Sequence, residues 1–388
     1  MASELALSEL QSVPAGGIVL DPMAGSGTVI RHASDLGYRA FGFDMDPLAV
    51  LMSRVWTTPA DDTAIQKLAS RVLREARSLS DDEVRLPNID DDAETKAFVE
   101  FWFAPQQRSD LRRLAYVLAG LSRRGVPTRN RIAADVLRLA MTRLIVTKDR
   151  GASLARDVSH SRPHKVAETT SFDVMSEFDR SVAQLRKILQ AYPPRGNVEV
   201  KLGDARSLRN VSNGSIDLVL TSPPYLNAID YMRGHRLALV WLGYRFSELR
   251  QIRSTSIGAE RAPDIKGTKD LFMEICDSMT TMSTLSSRHA NMVHRYAEDT
   301  YRLMSEVARV LKQDGRAVFV VGNSCLKGTF IRNSDGVKKA ALMVGLRVND
   351  EFERELPAQH RYLPMPANKE NPLGNRMRTE TILTFSRH

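Results

Sequence analysis

The stretch TSPPYLNAIDY, positions 221–231, follows the apolar run SIDLVL and contains two consecutive prolines. Two hydrogen-bond acceptors lie side by side in it, the hydroxyl of Ser222 and the main-chain carbonyl of Pro223. Pro223 and Pro224 fix φ and lack an N–H donor, so they would hold that carbonyl toward a ligand. Tyr225 adds an aromatic face. These groups can accept hydrogen bonds from the two hydrogens of an amino group on a planar ring. The alternative interpretation is a turn whose only role is to end the strand.

A glycine-rich turn near the N-terminus is a second candidate site. The sequence GGIVLDPMAGSGTVIRHASDLGYRAFGFDMDP predicts a strand at 18–20, a helix at 28–36 that Gly37 ends, and a second strand at 40–43. Gly25 and Gly27 lie in the turn of this β-α-β unit. They allow the backbone to pass close to a ligand and leave helix N–H groups facing it.

The acidic residues of this unit indicate its ligand. Asp44 ends the second strand, where a carboxylate can bind both hydroxyls of a ribose. Asp21, at the end of the first strand, can pair with a ligand ammonium group. The turn lacks the G-x-G-x-x-G and G-x-x-x-x-G-K-[ST] patterns, so neither a pyrophosphate nor a triphosphate is indicated. A ribose with a cationic amino-acid tail describes S-adenosylmethionine, and a purely structural tight turn is the alternative.

Both motifs resemble those of the amino-methyltransferases that act on nucleic-acid bases. DPMAGSGT is similar to the Asp-Pro-Phe-x-Gly-x-Gly-Thr turn of that family, with Met in place of Phe, and TSPPY resembles its catalytic signature. The similarity covers about 200 residues: 15–55, 196–242 and 300 to the end. It implies a site that presents the base through Ser222, Pro223, Pro224 and Tyr225. The implied cofactor-binding residues are Asp21, Pro22, Met23, Gly25, Gly27, Thr28, Asp44, Met45, Asp204 and Ala205.

The resemblance also implies which nucleobase is methylated. In the family, Ser-Pro-Pro-Tyr is typical of enzymes that make N4-methylcytosine, whereas Asp-Pro-Pro-Tyr and Asn-Pro-Pro-Tyr are commoner in those that make N6-methyladenine. We therefore expect N4 methylation of a flipped-out cytosine in DNA, with N6-adenine methylation as the alternative. An RNA enzyme of the tRNA guanine-N2 type, and a binding protein with a degenerate methyltransferase fold, are further alternatives. Carbon-5 methylation needs a cysteine nucleophile in a Pro-Cys pair, a context that neither Cys276 nor Cys325 has.

The remaining patterns predict how these residues are positioned. Strands are expected at 198–202, in SIDLVL, in the segment RAVFVVG, and in a C-terminal pair. Strands alternating with helices predict an α/β fold: a Rossmann-like class I methyltransferase with a mostly parallel seven-stranded sheet and a helical insertion. The predicted parts are the first part of the catalytic domain, 1–55; a helical basic insertion, 56–195; and the second part, 196–388, with a mobile insertion at about 246–300.

Positive charge is concentrated in the insertion. The chain carries a formal net charge of +9, and residues 104–166 hold 14 Lys and Arg against 4 Asp and Glu. Such a segment suits a phosphate backbone and predicts double-stranded DNA as partner, although arginines paired with acids elsewhere are the alternative. The candidate nucleic-acid contacts are Arg150, Arg156, His160, Arg162, Lys165, Tyr231, Arg233, His235 and Arg236.

Composition excludes several other classes. Two cysteines are too few for a disulfide framework or a Cys-based zinc site, and no third ligand accompanies His160 and His164, so no metal site is expected. Apolar runs are too short to span a membrane, and the start MASELALSEL lacks a signal pattern, so a cytoplasmic location is expected. The sequence leaves open whether a cognate restriction endonuclease is a partner, and whether the chain is a monomer or a homodimer.

Overall fold

A computed structural model describes residues 3–123, 128–145, 147, 150–156, 164–226, 230–259, 272–355 and 379–387. The chain divides into two compact units, each built from discontinuous segments. The first unit comprises Met1–Met45, Asn197–Ile229 and Ser254–His388. The second comprises Asp46–Gly196 and Asp230–Arg253.

Strands occur within 18–44, 155–221 and 311–387, and helices predominate between these ranges. The helices are α1 (Ser3–Leu10), α2 (Thr28–Asp35), α3 (Pro47–Thr57), α4 (Asp62–Ser78), α5 (Pro87–Asp90), α6 (Ala93–Trp102), α7 (Pro105–Arg123), α8 (Thr128–Thr142), α9 (Val174–Ala191), α10 (Met232–Leu239), α11 (Phe246–Thr255), α12 (Met273–Met279), α13 (Ser287–Val310) and α14 (Asn333–Met343). The strands are β1 (Ile18–Asp21), β2 (Arg39–Asp44), β3 (Ala155–Arg156), β4 (His164–Lys165), β5 (Val198–Leu202), β6 (Ile216–Thr221), β7 (Leu311–Gly322), β8 (Ser324–Leu326), β9 (Thr329–Ile331), β10 (Leu346–Glu355) and β11 (Thr379–Arg387).

The first unit is built on a seven-stranded sheet with the order β10-β11-β7-β6-β1-β2-β5. Its neighbours pair in parallel except β11, which runs antiparallel to both β7 and β10. This confirms the predicted α/β class I methyltransferase fold. The chain proceeds from β1 to β2 and β5 on one side and then returns to add β6 on the other. That reversal, between β1 and β6, is the point at which open parallel sheets bind ligands.

Alternating apolar residues cover both faces of this sheet. Leu20, Val219 and Phe319 are buried in one hydrophobic cluster with residues of α12, α13 and α14. The adjacent strand residues Val19 and Leu218 are buried in a second cluster with residues of α1 and α2. Because side chains alternate across a strand, a sheet covered on both faces needs near-continuous apolar strands, which explains runs such as SIDLVL.

The second unit is mainly helical. Helices α3, α4, α6 and α9 each begin after an aspartate whose carboxylate accepts a hydrogen bond from a first-turn N–H group. Each such cap stabilises a helix by about 1 kcal/mol. These residues are Asp46, Asp61, Asp92 and Asp173. Helices α4, α7, α8 and α9 all lie within residues 56–195, where the sequence predicts a helical insertion.

Two segments expected in the catalytic domain lie instead in the helical unit. Residues 46–55 form most of α3, and residues 230–253 form α10 and most of α11. Trp241 is buried there, with its ring edge-on to Phe103 at 5.0 Å between ring centroids. The side-chain amide of Asn88 donates to the carbonyl of Val240 at 2.8 Å. Apolar residues at helical spacing favour burial among helices, which explains the difference.

Regular elements also occur in the predicted helical insertion and in the predicted mobile insertion. In the helical insertion, β3 and β4 pair antiparallel, with Ala155 opposite Lys165 and Arg156 opposite His164. The predicted mobile insertion at 246–300 contains α11, α12 and much of α13, whereas residues 260–271 lie outside the described part. Buried apolar residues at helical spacing order α12 and α13; they include Ile275, Met279, Met292, Val293 and Tyr296.

Candidate active site

The glycine-rich turn lies between β1 and α2, as predicted. Gly25 and Gly27 have φ values of +52° and +89°, in the left-handed region that side chains other than glycine rarely adopt. Gly27 is the N-cap of α2 and contributes no side-chain hydrogen bond to it. The carboxylate of Asp44, the last residue of β2, accepts a hydrogen bond from the Gly25 N–H at 2.8 Å. The first two parallel strands therefore end at the same turn.

Asp21 lies at the centre of this arrangement. It is the last residue of β1 and only 4% exposed, and its Oδ1 accepts hydrogen bonds from the Met23 N–H at 3.1 Å and the Thr221 hydroxyl at 2.8 Å. Burial raises the pKa of the Asp21 carboxyl to about 7, although both hydrogen bonds oppose the shift. A buried carboxyl of this kind gains most from a cationic ligand, because the ligand's charge compensates the lost hydration.

Asp204 follows β5 and is paired with Arg206. The guanidinium of Arg206 donates to Asp204 at 2.7 Å, to the carbonyl of Thr255 at 2.8 Å and to the carboxylate of Asp299. It also lies 3.9 Å from the sulfur of Met45. Partial burial acts to raise the pKa of Asp204, but the hydrogen bonds and charge of Arg206 outweigh it and lower the pKa. Asp204 is therefore held ionised and in one orientation.

The other predicted cofactor residues surround these carboxylates in sequence and vary in burial. Pro22 and Ala205 are buried, and Ala205 belongs to the hydrophobic core, so its main chain rather than its methyl would contact a ligand. Met23, Thr28 and Met45 are partly exposed, and Thr28 is the first residue of α2. The set fits S-adenosylmethionine through a buried carboxyl for the ammonium group, a second carboxylate at the end of β2, and an open glycine turn between them.

The Ser-Pro-Pro-Tyr motif follows β6 directly and is held by the end of β7. The Ser222 hydroxyl donates to the carbonyl of Val320 at 3.1 Å. Pro223 is buried and Pro224 is exposed. The ring of Tyr225 lies against Gly322, where an added Cβ atom would be only 2.8 Å from ring atoms Cε2 and Cζ.

The hydrogen bond from Thr221 to Asp21 joins the two predicted motifs. β1 and β6 are adjacent parallel strands, paired at Leu20 and Val219, and both residues of the hydrogen bond are buried at their carboxyl ends. The structure thus brings together the Gly-rich turn and the Ser-Pro-Pro-Tyr motif, which are 200 positions apart in sequence.

The candidate nucleic-acid contacts of the insertion differ in exposure. Arg150 is exposed, and Arg156 is half-buried on β3. Lys165, on β4, pairs with Glu168 at 2.6 Å and lies 5.3 Å from the centre of the exposed Phe101 ring. Two candidates lie outside the described residues: His160 and Arg162.

Other arginines of the basic segment form ion pairs within the described part of the helical unit; they include Arg112, Arg113 and Arg138. Arg112 pairs with Asp90 at 2.7 Å, and Arg138 pairs with Asp135 at 2.8 Å. The side chains of Arg112 and Arg138 are each 20% exposed. The alternative interpretation, basic helices packed against acids, therefore accounts for part of the local excess of positive charge.

The cluster after the Ser-Pro-Pro-Tyr motif is largely engaged within the helical unit. Arg233 pairs with Asp230 at 3.1 Å, and the Nδ1 atom of His235 lies against the carboxylate of Asp46. Tyr231 is 60% exposed.

Arg236 is held by aromatic rings. Its guanidinium carbon lies 5.5 Å from the ring centre of Phe98 and 5.4 Å from that of Phe246. Its Nε also donates to the carbonyl of Arg233 at 3.2 Å. Burial lowers the pKa of Arg236. These contacts give Arg236 a packing role, so a nucleic-acid contact at this position stays a prediction.

Cys276 lies in an environment that is unfavourable for a nucleophile. Cys276 is buried on α12 with its sulfur 3.3 Å from His294 Nδ1, and burial raises the pKa of the thiol to about 12, which disfavours a thiolate nucleophile. Among the residues described, no group of three or more His, Cys, Asp or Glu is arranged to hold a metal ion. Within the same ranges, no helix is long and apolar enough to cross a bilayer.

Comparison with known proteins finds similarity to methyltransferases. The chain is 21% identical over 402 aligned positions to the Type II methyltransferase M.MvaI of Kocuria varians, covering 95% of this chain and 84% of that protein. It is 20% identical to the Type II methyltransferase M.AvaI of Nostoc sp., over 76% of this chain and 58% of that protein. No family model matches the chain. S-adenosylmethionine, predicted from the glycine-rich turn, is confirmed as the cofactor by the methyltransferase fold and these methyltransferase relatives.

The similarity to solved structures is weaker than the similarity to these relatives. A TehB-like SAM-dependent methyltransferase from Corynebacterium glutamicum aligns with 100% of this chain and 89% of its own, at 10% identity and a TM-score of 0.32. The strand order of the sheet, rather than this likeness, defines the fold.

Sequence reasoning missed three residues of the site. Thr221 precedes the Ser-Pro-Pro-Tyr motif directly and binds Asp21, and Arg206 follows Asp204 by two positions and orients it. Gly322 ends β7 and lies beneath the Tyr225 ring. A signal was available for the first two, since each is adjacent to a predicted site residue. No feature of the sequence around Gly322 indicates its contact with the Tyr225 ring.

Proposed function

We propose that the protein is an S-adenosylmethionine-dependent DNA methyltransferase that modifies the exocyclic amino group of a flipped-out base. The observation that carries the proposal is the buried hydrogen bond from Thr221 to Asp21, which holds the cofactor turn and the Ser-Pro-Pro-Tyr motif at adjacent strand ends. The carboxyl of Asp21, which would bind the ammonium group of the cofactor, thereby lies next to the Ser-Pro-Pro-Tyr motif, which would bind the amino group of the base. Two similar Type II methyltransferases support the same reaction class.

The catalytic task is to prepare a poor nucleophile. The lone pair of an exocyclic amino group is delocalised into its base, so the site must draw the nitrogen toward tetrahedral geometry and align it with the methyl group that the cofactor supplies. Because the Ser222 hydroxyl donates a hydrogen bond to the Val320 carbonyl, its oxygen lone pairs are available to accept a hydrogen bond from the amino group. The Pro223 carbonyl would accept the other. Tyr225 would supply the face on which the base stacks.

The charge distribution favours a nucleic acid as substrate, and the Type II methyltransferase relatives favour DNA. The +10 excess of residues 104–166 includes the exposed Arg150 and the half-buried Arg156. Phosphate contacts of this kind provide affinity and orientation without reading sequence. The Type II names of the relatives also make a cognate restriction endonuclease a reasonable partner to seek.

For the base itself, we favour the N4 amino group of cytosine. The support is the serine at position 222, through the family correlation described above. Adenine N6 is the alternative, because both bases present an amino group beside a ring nitrogen and the same acceptors would serve either.

Mass spectrometry of nucleosides tests the proposal. Unmethylated plasmid DNA and bulk tRNA are incubated with the protein and isotopically labelled S-adenosylmethionine, and digests are examined for N4-methylcytosine, N6-methyladenine and N2-methylguanosine. Label in N4-methylcytosine supports the full proposal. Label in N6-methyladenine supports a DNA amino-methyltransferase but refutes cytosine as the methylated base. Label only in tRNA, or cofactor binding without transfer to either nucleic acid, would overturn it.

A further inference from the structure

The carboxyl end of β7 contacts two side chains of the Ser-Pro-Pro-Tyr motif, those of Ser222 and Tyr225. Val320 accepts the hydrogen bond of Ser222, and two residues later Gly322 lies against the ring of Tyr225. Ring atoms Cε2 and Cζ lie 2.8 Å from the point where a Cβ of residue 322 would be, and Cε1 lies 3.1 Å away. Three ring atoms at such similar distances indicate that a ring face, not an edge, covers the glycine.

Gly322 is required here for space rather than for backbone conformation. It is not among the glycines with a positive φ, and it continues the extended backbone of β7, which alanine also adopts. Its carbonyl accepts a hydrogen bond from the side-chain amide of Asn333 at 3.0 Å, and Asn333 is fully buried. This hydrogen bond holds the main chain of Gly322 in place beneath the Tyr225 ring. A methyl group added at residue 322 would therefore displace the ring rather than the strand.

We propose that Gly322 is a positioning residue for base methylation: the bare backbone at the end of β7 sets the height of the Tyr225 ring beneath the amino-bearing base. This inference rests on the proposed function. Carbon atoms in contact prefer about 3.5 to 4.0 Å, so a Cβ at 2.8 Å would move the ring by roughly 1 Å. A misplacement of that size costs on the order of 100-fold in rate when geometry limits the chemistry.

The test is a double-mutant cycle between Gly322→Ala and Tyr225→Ala. Single-turnover methyl transfer and S-adenosylmethionine affinity are measured for the wild type, both single variants and the double variant. We expect Gly322→Ala to lower the methyl-transfer rate by about 10- to 100-fold while changing cofactor affinity less than about twofold. In the Tyr225→Ala background, the added alanine should change the rate less than about twofold, because no ring remains to be displaced. An equal loss in both backgrounds would show that Gly322 acts on something other than the ring.

A second readout separates this inference from the proposed function. With 3-fluorotyrosine incorporated, the fluorine resonance of Tyr225 is assigned from a Tyr225→Phe variant, and Gly322→Ala should shift it more than any other tyrosine resonance. Gly120→Ala is the matched control, since nothing lies within 4 Å of a Cβ at that helical position. An unshifted Tyr225 resonance overturns the positioning role whatever the activity. A shifted resonance in a protein that methylates no nucleic acid retains the contact but refutes the proposed function.

Discussion

Cofactor affinity should increase as the pH rises from 5.5 to 7.0, because Asp21 must ionise to bind the cofactor's ammonium group. The pKa of the ligand-free carboxyl is raised to about 7 by burial. About 3% of Asp21 is then ionised at pH 5.5 and about half at pH 7.0, which corresponds to about a 15-fold gain in affinity, or roughly 1.6 kcal/mol. The upper limit of pH 7.0 keeps the α-amino group of the cofactor protonated.

Isothermal titration calorimetry of S-adenosylmethionine provides the measurement. Titrations at four pH values give the affinity, and repeating them in two buffers of different ionisation enthalpy gives the number of protons released. We expect close to one proton released per cofactor at pH 5.5, falling toward one half at pH 7.0. Asp21→Asn should bind weakly and with little dependence on pH. Asp35→Asn removes a more exposed carboxylate, paired with Arg31 on α2, and should keep the wild-type profile.

The same carboxyl also affects the stability of the ligand-free protein. Because the folded-state pKa lies above the ordinary value of 3.8, the folded state binds the proton more tightly than the unfolded state. The free energy of unfolding should therefore decrease as the pH rises from about 4 to about 7, and Asp21→Asn should lose that part of the decrease. Cofactor affinity independent of pH in the wild type, with no proton released at pH 5.5, would refute the assigned role of Asp21.

Three further predictions follow from the site and the charge distribution. Tyr225→Ala should retain cofactor affinity but lose about 10- to 100-fold in methyl transfer, through the lost stacking of the base; unchanged turnover would contradict that role. DNA affinity should fall about 150-fold between 50 and 200 mM salt if four phosphates are contacted, and Arg150→Ala should reduce the slope by about 1; salt-independent binding would argue against phosphate contacts. Arg206→Met should lower the free energy of unfolding by roughly 1 to 3 kcal/mol at pH 7.5, since it leaves the buried Asp299 paired, among the described residues, only with Arg295, at 3.6 Å; thermal melts should show a smaller loss at pH 5, and equal losses would contradict the pairing.

Local patterns were sufficient to predict the elements that carry the chemistry. The β-α-β unit around Gly25, the strand before Ser222 and the two C-terminal strands all depend on apolar periodicity and turn residues within a few positions of one another. The carboxyl ends of parallel strands meet at one edge of a sheet, so Asp21 and Asp44 could be expected at a common site.

The partners of the site residues could not be predicted in this way. The contacts of Thr221 with Asp21 and of Tyr225 with Gly322 join residues about 200 and 97 positions apart, and no local pattern encodes such pairs. The same limit applies to charge. A count of residues 104–166 gives the excess of arginines, but ion pairing of Arg112 with Asp90 appears only when the helices pack.

Sequence alone therefore determined the residue types that can bind the cofactor and accept an amino group, because those depend on chemistry within a single turn. Tertiary structure decided which of them act together, because burial and distance depend on how β1, β6 and β7 lie side by side. The pKa of Asp21 illustrates the division: the sequence supplies a carboxyl, and its burial between adjacent strand ends moves its titration toward neutral pH.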